Sequence, residues 1–515
     1  ILMRKLEEWE NILNSVFKAY DVRGVVGEEL DEEFYYYLGR ALVRYLNTEH
    51  IVVGRDFRED SLRFQTALIS GIHSLKCYVT DISEISTEML YFAVGENADY
   101  DIGAVVTASH NPAGYNGCKL VKKNARPIYS QDGFEELKKL ILKDIENFQG
   151  EQIDNLNDKN YQIDKKLYRE IDIMPAYREK ILSFLKGVKI KPLSIVVDAG
   201  NGIGGKIFKE VFKDFILDDC EANNNSSPKT PEKRREENGI KIDSKKDKKI
   251  KLTELYFEPD SLFPNHDANP IEIENMLDLQ KKVVEVGADL GIGIDGDGDR
   301  VGFVDNSGEI LLSGVFIGAI LADYVFDTDN KRLIHDLRII SPIVDTVKEL
   351  GGEAIPSIAG HAYIKESMLK HDAKYGVELS THFYYKDYYY CDSGMVTVAF
   401  MIKAISGGLN LAKKHAELRS KYHLSGEVNF EISDPEAIIN ELIDTYKDSG
   451  NIDLTDGVSC ELKGWRFNVR ISNTQPLLRL NVESDREDLM IEGYKELENL
   501  IGGTRKNEPS FERKN

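Results

Sequence analysis

One pattern constrains the fold of this chain more than any other. Short apolar runs break into polar or glycine-rich turns and are followed by stretches of helical periodicity. Residues 50–54 run into Arg55-Asp56, 101–106 into Thr107-Ala108-Ser109, 193–197 into Asp198-Ala199-Gly200-Asn201-Gly202, and 290–294 into Asp295-Gly296-Asp297. Helical segments are expected over 61–74, 206–215 and 311–326. Buried strands alternating with helices specify α/β layers with mostly parallel sheets. In such sheets ligands gather at the carboxyl ends of the strands, where these polar turns fall.

The last hundred or so residues read differently. Short strands are expected over 428–432, 457–462, 465–471 and 477–482, flanked by helices over 435–447 and 486–500, which suits a smaller α+β domain. A length of 515 residues, at about 150 per domain, suggests three or four domains. The expected boundaries are 1–157, 165–308, 309–421 and 422–515. Residues 221–251 interrupt the second domain: an Asn/Ser/Pro run precedes ten Lys/Arg and five Asp/Glu between Lys229 and Lys251, and the segment reads as a solvated insertion.

Charge and composition exclude several classes. With 42% hydrophobic residues the chain can build cores. No apolar run approaches the roughly 18 residues of a membrane span, so no membrane association is expected. The charged start lacks a signal-peptide stretch, although Met3 offers an alternative start. The net charge of −22 argues against nucleic acid. Five cysteines without a CxxC pair suit neither a zinc site nor a disulfide framework, and a reducing, cytoplasmic setting is expected.

The motifs carry the chemistry. Thr107-Ala108-Ser109-His110-Asn111-Pro112 puts a hydroxyl beside an imidazole on a turn, as a nucleophile or phosphate carrier requires; the same residues also simply favour turns. In Asp295-Gly296-Asp297-Gly298-Asp299-Arg300, three carboxylates at alternate positions repel one another unless a divalent cation, Mg²⁺ by its preference for hard oxygen ligands, compensates them. A plain acidic turn is the alternative; an EF-hand is excluded by Arg300 and Asn306. Arg470, Ser472, Asn473, Thr474 and Arg479 bracket a turn as a phosphate cradle or an ordinary hairpin. Glu378, Ser380 and His382 could bind sugar hydroxyls. Gly200-Asn201-Gly202-Ile203-Gly204-Gly205 satisfies a dinucleotide-binding pattern and nearly a Walker loop, but Ile207 stands where the metal-binding hydroxyl belongs, and a tight strand-to-helix turn explains the glycines.

In this order the motifs resemble the α-D-phosphohexomutase family, most closely its phosphomannomutase branch. The resemblance runs through Lys18-Ala19-Tyr20-Asp21-Val22-Arg23-Gly24, Val53-Gly54-Arg55-Asp56, the Ser109 motif, Asn116-Gly117 with Lys119, the Asp295 loop, Gly360-His361, the Glu378 loop and the Arg470 turn. It implies three similar mixed-sheet α/β domains plus a C-terminal α+β domain around a central cleft. It also implies that Ser109 is a phosphoserine and that Asp295, Asp297 and Asp299 hold Mg²⁺ with a phosphate oxygen on Ser109. Arg23, His110, Lys119, Arg300 and His361 would steer protons and charge. Tyr20, Glu378, Ser380 and His382 would meet the sugar, and Arg470, Ser472, Asn473, Thr474 and Arg479 its distal phosphate. The implied reaction interconverts mannose 6-phosphate and mannose 1-phosphate, with glucose phosphates as alternative substrates, through a hexose 1,6-bisphosphate that also serves as primer. A monomer or dimer is expected. Thr381 stands where relatives carry Gly or Ala.

Two rival classes remain. A haloacid-dehalogenase-type phosphatase would use Asp295 as nucleophile, but its motif wants Thr or Val in place of Asp299. A non-catalytic phosphosugar-binding protein is the other, and the intact Ser109 and triple-Asp sets argue against it. Outside Lys229–Lys251 the chain carries −27, so an anionic substrate would have to be recruited locally, by Arg23, Lys119, Arg300, Arg470, Arg479 and a bound cation.

Overall fold

The computed structural model describes residues 4–149, 161–217, 248–311, 313–472 and 477–512, grouped in two compact units. The first takes residues up to 310 together with 393–409, and the second takes 311–392 and 410 onward.

The first unit holds two α/β sheets. In one, Tyr115–Lys122, Ile102–Val106, His50–Arg55 and Tyr78–Glu84 lie side by side, with Val22–Val25 and Tyr168–Glu170 extending the two edges. In the other the order is Val301–Val304, Leu290–Ile294, Leu193–Asp198, Ile250–Leu255. The second unit repeats this order with Phe383–Tyr385, Tyr375–Val377, Arg332–Asp336 and Glu353–Ser357. In all three, the last three strands named in the run of four are parallel, and the first returns antiparallel from its neighbour. The sheets are therefore mixed. Parallel strands covered on both faces must be apolar throughout, and Ile102–Val106 and Leu290–Ile294 are buried at every residue.

The second unit also contains an antiparallel sheet in the order Asn451–Asp453, Val458–Glu461, Trp465–Ile471, Leu478–Ser484, Val428–Glu431, Thr504–Arg505. Helices Pro435–Tyr446 and Glu487–Ile501 belong to the same core, with Tyr446, Tyr494 and Leu497 buried together with Phe467, Val469 and Leu480.

Most expected elements lie within a residue or two of their observed bounds: Ser61–Ser74 and Leu290–Ile294 coincide, whereas the helix expected over 206–215 is Gly204–Phe212. Two observations differ from the sequence parse. Strand Ile250–Leu255 begins inside the segment assigned to the insertion, because Ile250 and Leu252 pair with Leu193 and Ile195; residues 221–247 lie outside the described residues. Helix Gly394–Gly407, within 309–421, packs with the first unit, where Ser393 and the Met395 amide meet the buried Glu88. Among the described residues, no single helix is long and apolar enough to cross a membrane.

Candidate active site

The three sheets place their chemistry at one equivalent position, the connection from the carboxyl end of a parallel strand into its antiparallel neighbour. Ile102–Val106 leads into the Ser109 turn, Leu290–Ile294 into the Asp295 loop and Tyr375–Val377 into the Glu378 loop.

Ser109 is buried and has a φ of 52°, the left-handed region that costs a non-glycine residue about 1 kcal/mol or more. Its surroundings hold it there. Thr107 Oγ1 accepts from the Ser109 amide at 2.9 Å. Arg58 donates to the carbonyls of Ser109 at 3.0 Å, Pro112 at 3.1 Å, Tyr115 at 3.2 Å and also Asn111. Arg58 is covered in turn by the Phe263 ring, 5.2 Å away, with the Asp56 carboxylate 3.5 Å from its Nε. The Ser109 hydroxyl lies 3.2 Å from His110 Nδ1. Burial, joined by Arg300 and Arg23, holds the His110 pKa well below the ordinary histidine value, so the ring is neutral at pH 7.

The Asp295 loop packs directly on this turn. A Cβ on Gly296 would lie 2.7 Å from the Ser109 carbonyl oxygen, so only glycine permits the approach. Asp295 is engaged by Arg300 through its amide at 3.0 Å and its Nε at 2.9 Å. Lys119, carried by Tyr115–Lys122, reaches Asp297 Oδ2 at 2.8 Å and Asp299 Oδ2 at 2.5 Å. Thr87 donates to Asp297 through both its amide and its hydroxyl. Burial and the Asp299 charge push the Asp295 carboxyl up, whereas Asp297, despite its burial, is held down chiefly by Lys119. Arg23 bonds Asp21 at 2.9 Å and also Asn111. Burial opposes its charge, but Asp21, then Asp297 and Asp299, outweigh it and raise its pKa. Tyr20 lies half-buried in the turn before Val22–Val25.

The loop fits a divalent cation. One oxygen from each of Asp295, Asp297 and Asp299 lies within 4.8 Å of the others, all three residues are buried, and Asp297 Oδ1 has no hydrogen-bond partner. Three carboxylates against Lys119 and Arg300 leave negative charge in excess, and an all-oxygen donor set suits Mg²⁺.

In the second unit, Glu378 accepts from the Gly360 amide at 2.8 Å and from Tyr384 Oη, and lies 3.4 Å from His382 Nδ1. His382 is 3.2 Å from Ser380 Oγ, and His361 opens the helix His361–His371 next to Gly360. Burial raises the Glu378 pKa, with Arg338 opposing. Thr381, at φ 63°, occupies a left-handed position that favours glycine. Arg470 and Arg479 face each other across the hairpin and both reach Glu427, at 3.3 and 2.9 Å. Ser472 is buried beside them; Asn473 and Thr474 lie outside the described residues.

Sequence reasoning missed Arg58, Thr87, Asp336, Arg338 and Glu427. Asp336 and Arg338 did carry a signal, because they end the apolar run of Arg332–Asp336 as Arg55-Asp56 ends its own. Arg338 bonds Asp336 at 2.7 Å and lies 3.4 Å from Ser380 Oγ. Nothing local singles out Glu427.

Family models for phosphoglucomutase/phosphomannomutase match four stretches of the chain: α/β/α domain I at 14–147, domain II at 241–308, domain III at 313–422 and the C-terminal domain at 427–498. A phosphomannomutase of Vibrio cholerae is 35% identical over 94% of this chain and 98% of its own. One of Escherichia coli K12 is 34% identical over 91% and 94%. Among solved structures, a phosphoglucomutase/phosphomannomutase family protein of Burkholderia thailandensis superposes with a TM-score of 0.76 at 26% identity, covering 95% of this chain and 99% of that one.

Proposed function

Because the chain belongs to the phosphoglucomutase/phosphomannomutase family, we propose that it interconverts mannose 6-phosphate and mannose 1-phosphate, through a phosphoserine at Ser109 and a hexose 1,6-bisphosphate. The enzyme is an intramolecular phosphotransferase, an isomerase. The observation that carries the reading is the packing of the strained Ser109 turn on Gly296 of the triple-aspartate loop, with Lys119 spanning Asp297 and Asp299. Mannose as the preferred sugar rests on the relatives named phosphomannomutase; glucose phosphates are the alternative substrates.

In the forward half-reaction a sugar hydroxyl forms its O–P bond as the bond from phosphorus to Ser109 Oγ breaks, with a net transfer of the hydroxyl proton to Ser109 Oγ. In the second half the other phosphate returns to Ser109. His110, neutral and 3.2 Å from Oγ, takes the serine proton on rephosphorylation and returns it when the ester breaks. Arg23, Lys119 and Arg300 carry positive charge toward the equatorial oxygens, where phosphoryl transfer most needs it. Asp295, Asp297 and Asp299 would hold Mg²⁺, which when bound neutralises phosphoryl charge. Glu378, Ser380, His382, His361 and Tyr20 take the sugar side. Arg470, Arg479 and Ser472, with Asn473 and Thr474, take the distal phosphate. A hexose 1,6-bisphosphate primes the enzyme. The four expected segments are proposed as its structural domains.

A coupled assay comparing mannose 1-phosphate with glucose 1-phosphate, with Mg²⁺ and bisphosphate primer present, tests the reading. Turnover of mannose 1-phosphate is expected. Conversion of neither sugar would contradict it, and a clear preference for glucose would replace the substrate.

A further inference from the structure

The arginines of the second unit form a group that the proposed reaction uses only in part. Arg470 and Arg479 are direct cross-strand partners between Trp465–Ile471 and Leu478–Ser484. Like charges opposite each other in a sheet repel. Arg338, from the connection after Arg332–Asp336, joins them. All three guanidiniums converge on one carboxylate, Glu427: Arg479 Nη1 at 2.9 Å, Arg470 Nη2 at 3.3 Å and Arg338 Nη1 at 3.6 Å. Other carboxylates have narrower roles. Asp336 pairs with Arg338, Glu378 lies 3.8 Å from Arg338, and Asp456, which feels the Arg470 charge, accepts from the Ala359 amide at 3.0 Å. Among the described residues, Glu427 alone is within ion-pair distance of all three arginines.

Its backbone is anchored, since the Asn507 side-chain amide donates to the Glu427 carbonyl at 2.9 Å. Its carboxylate spans the arginines as a bidentate acceptor, engaging Arg479 through Oε1 and Arg470 and Arg338 through Oε2. A phosphate group offers the same planar forks the same kind of partner with more charge. Arg470 Nε is buried without a partner, so donor capacity is left beyond what Glu427 uses.

We infer that Glu427 is a positioning and affinity-setting residue for the distal phosphate: it holds the Arg338, Arg470 and Arg479 forks together before phosphate arrives and weakens their grip once it has. The inference rests on the reading that these arginines take a substrate phosphate. The second half of that role has a chemical reason. A bisphosphate that must turn end for end has to leave this group and come back with its other phosphate, and without Glu427 the Arg470 and Arg479 guanidiniums would lose the carboxylate they share and would release a dianion slowly. At the effective dielectric of a protein surface, one negative charge a few ångströms away lowers the affinity for an anion by at least about tenfold.

The test uses the full-length protein and inorganic phosphate as probe, followed by steady-state kinetics. Glu427→Gln keeps the shape and removes the charge. It is expected to bind inorganic phosphate at least about tenfold more tightly in calorimetry, to lower KM for the sugar phosphate, and to lower kcat. Glu427→Asp keeps the charge and should stay within about threefold of the parent in phosphate affinity. Equal or weaker phosphate binding by a folded Glu427→Gln protein overturns the inference. If that variant does not fold, Glu427→Asp decides: phosphate affinity raised as expected for Gln would overturn the inference, and affinity near that of the parent would support it. Failure of the underlying reading looks different, since the parent protein would then convert neither hexose phosphate whatever its affinity for inorganic phosphate.

Discussion

The two units carry opposite charge problems. In the first, three carboxylates crowd one loop, and Lys119 and Arg300 compensate only part of their charge. In the second, three guanidiniums crowd one hairpin end; Arg338 also has Asp336, whereas Arg470 and Arg479 share the single carboxylate of Glu427. On the proposed reading the first excess would take a cation and the second an anion. This explains how a chain of net charge −22 can work on an anionic substrate: the sign that matters is set within a few ångströms, and the global charge is largely screened beyond the Debye length.

The largest effect that would sharpen the contrast lies in the first unit. Ser109→Ala should lower mutase turnover by at least about a thousandfold while the melting temperature stays near that of the parent, because only the phosphate carrier is removed. Wild-type turnover in the purified variant would break the assignment. Next, chelation of divalent cations, or Asp297→Asn, should each lower kcat by about 10² or more. Mg²⁺ should raise the melting temperature of the parent and not of Asp297→Asn, since a ligand of the native state stabilises it. An equal rise in both would remove Asp297 from the cation site.

In the second unit the expected effect is smaller and of another kind. Arg470→Ala should raise KM for the sugar phosphate by about tenfold or more with a smaller change in kcat, and leave the phosphate content of Ser109 in the purified protein unchanged. A loss confined to kcat would move Arg470 out of substrate binding.

The smallest effect compares two buried carboxyls through pH. Burial pushes Glu88 up to about 8, against the hydrogen bonds from Ser393, Tyr177 and the Met395 amide. The native state therefore keeps a proton that the unfolded chain releases, and this contribution to stability is present below the ordinary value of 4.5 and is lost as pH rises toward 8. Glu427, although buried, is held down to about 2 by Arg338, Arg470 and Arg479, so its contribution is present above 4.5 and is lost as pH falls. Glu88→Gln should flatten the decline in melting temperature between pH 5 and 8, by about a few degrees. An unchanged slope would show that Glu88 is ionised in the native protein.

What could be read from the sequence depended on how local the cause was. Runs such as Leu290–Ile294 are apolar because both faces of a parallel strand are buried, and the periodicity of Ser61–Ser74 belongs to one helix face, so both were legible. The Ser109 and Asp295 motifs were legible because unusual residue types crowd into a few positions. Tyr115–Lys122 is a strand chiefly because it pairs with Ile102–Val106, and only that pairing sets Lys119 over the aspartates. Arg58 looks like any surface arginine until the carbonyls of the Ser109 turn fold around it. Helix Gly394–Gly407 joins the first unit through Glu88, about 300 residues away in sequence, and no local pattern records such a partner.

The central claim is that phosphate travels through Ser109, and one measurement meets it directly. The protein is incubated with hexose 1,6-bisphosphate and Mg²⁺, acid-quenched, digested and analysed by mass spectrometry. The account predicts an acid-stable phosphate on the peptide containing Ser109, passed to the sugar when the phosphoenzyme is offered mannose 1-phosphate. A phosphate found only as a labile acyl ester on Asp295, or no phosphoenzyme in a preparation that still turns over, would contradict it.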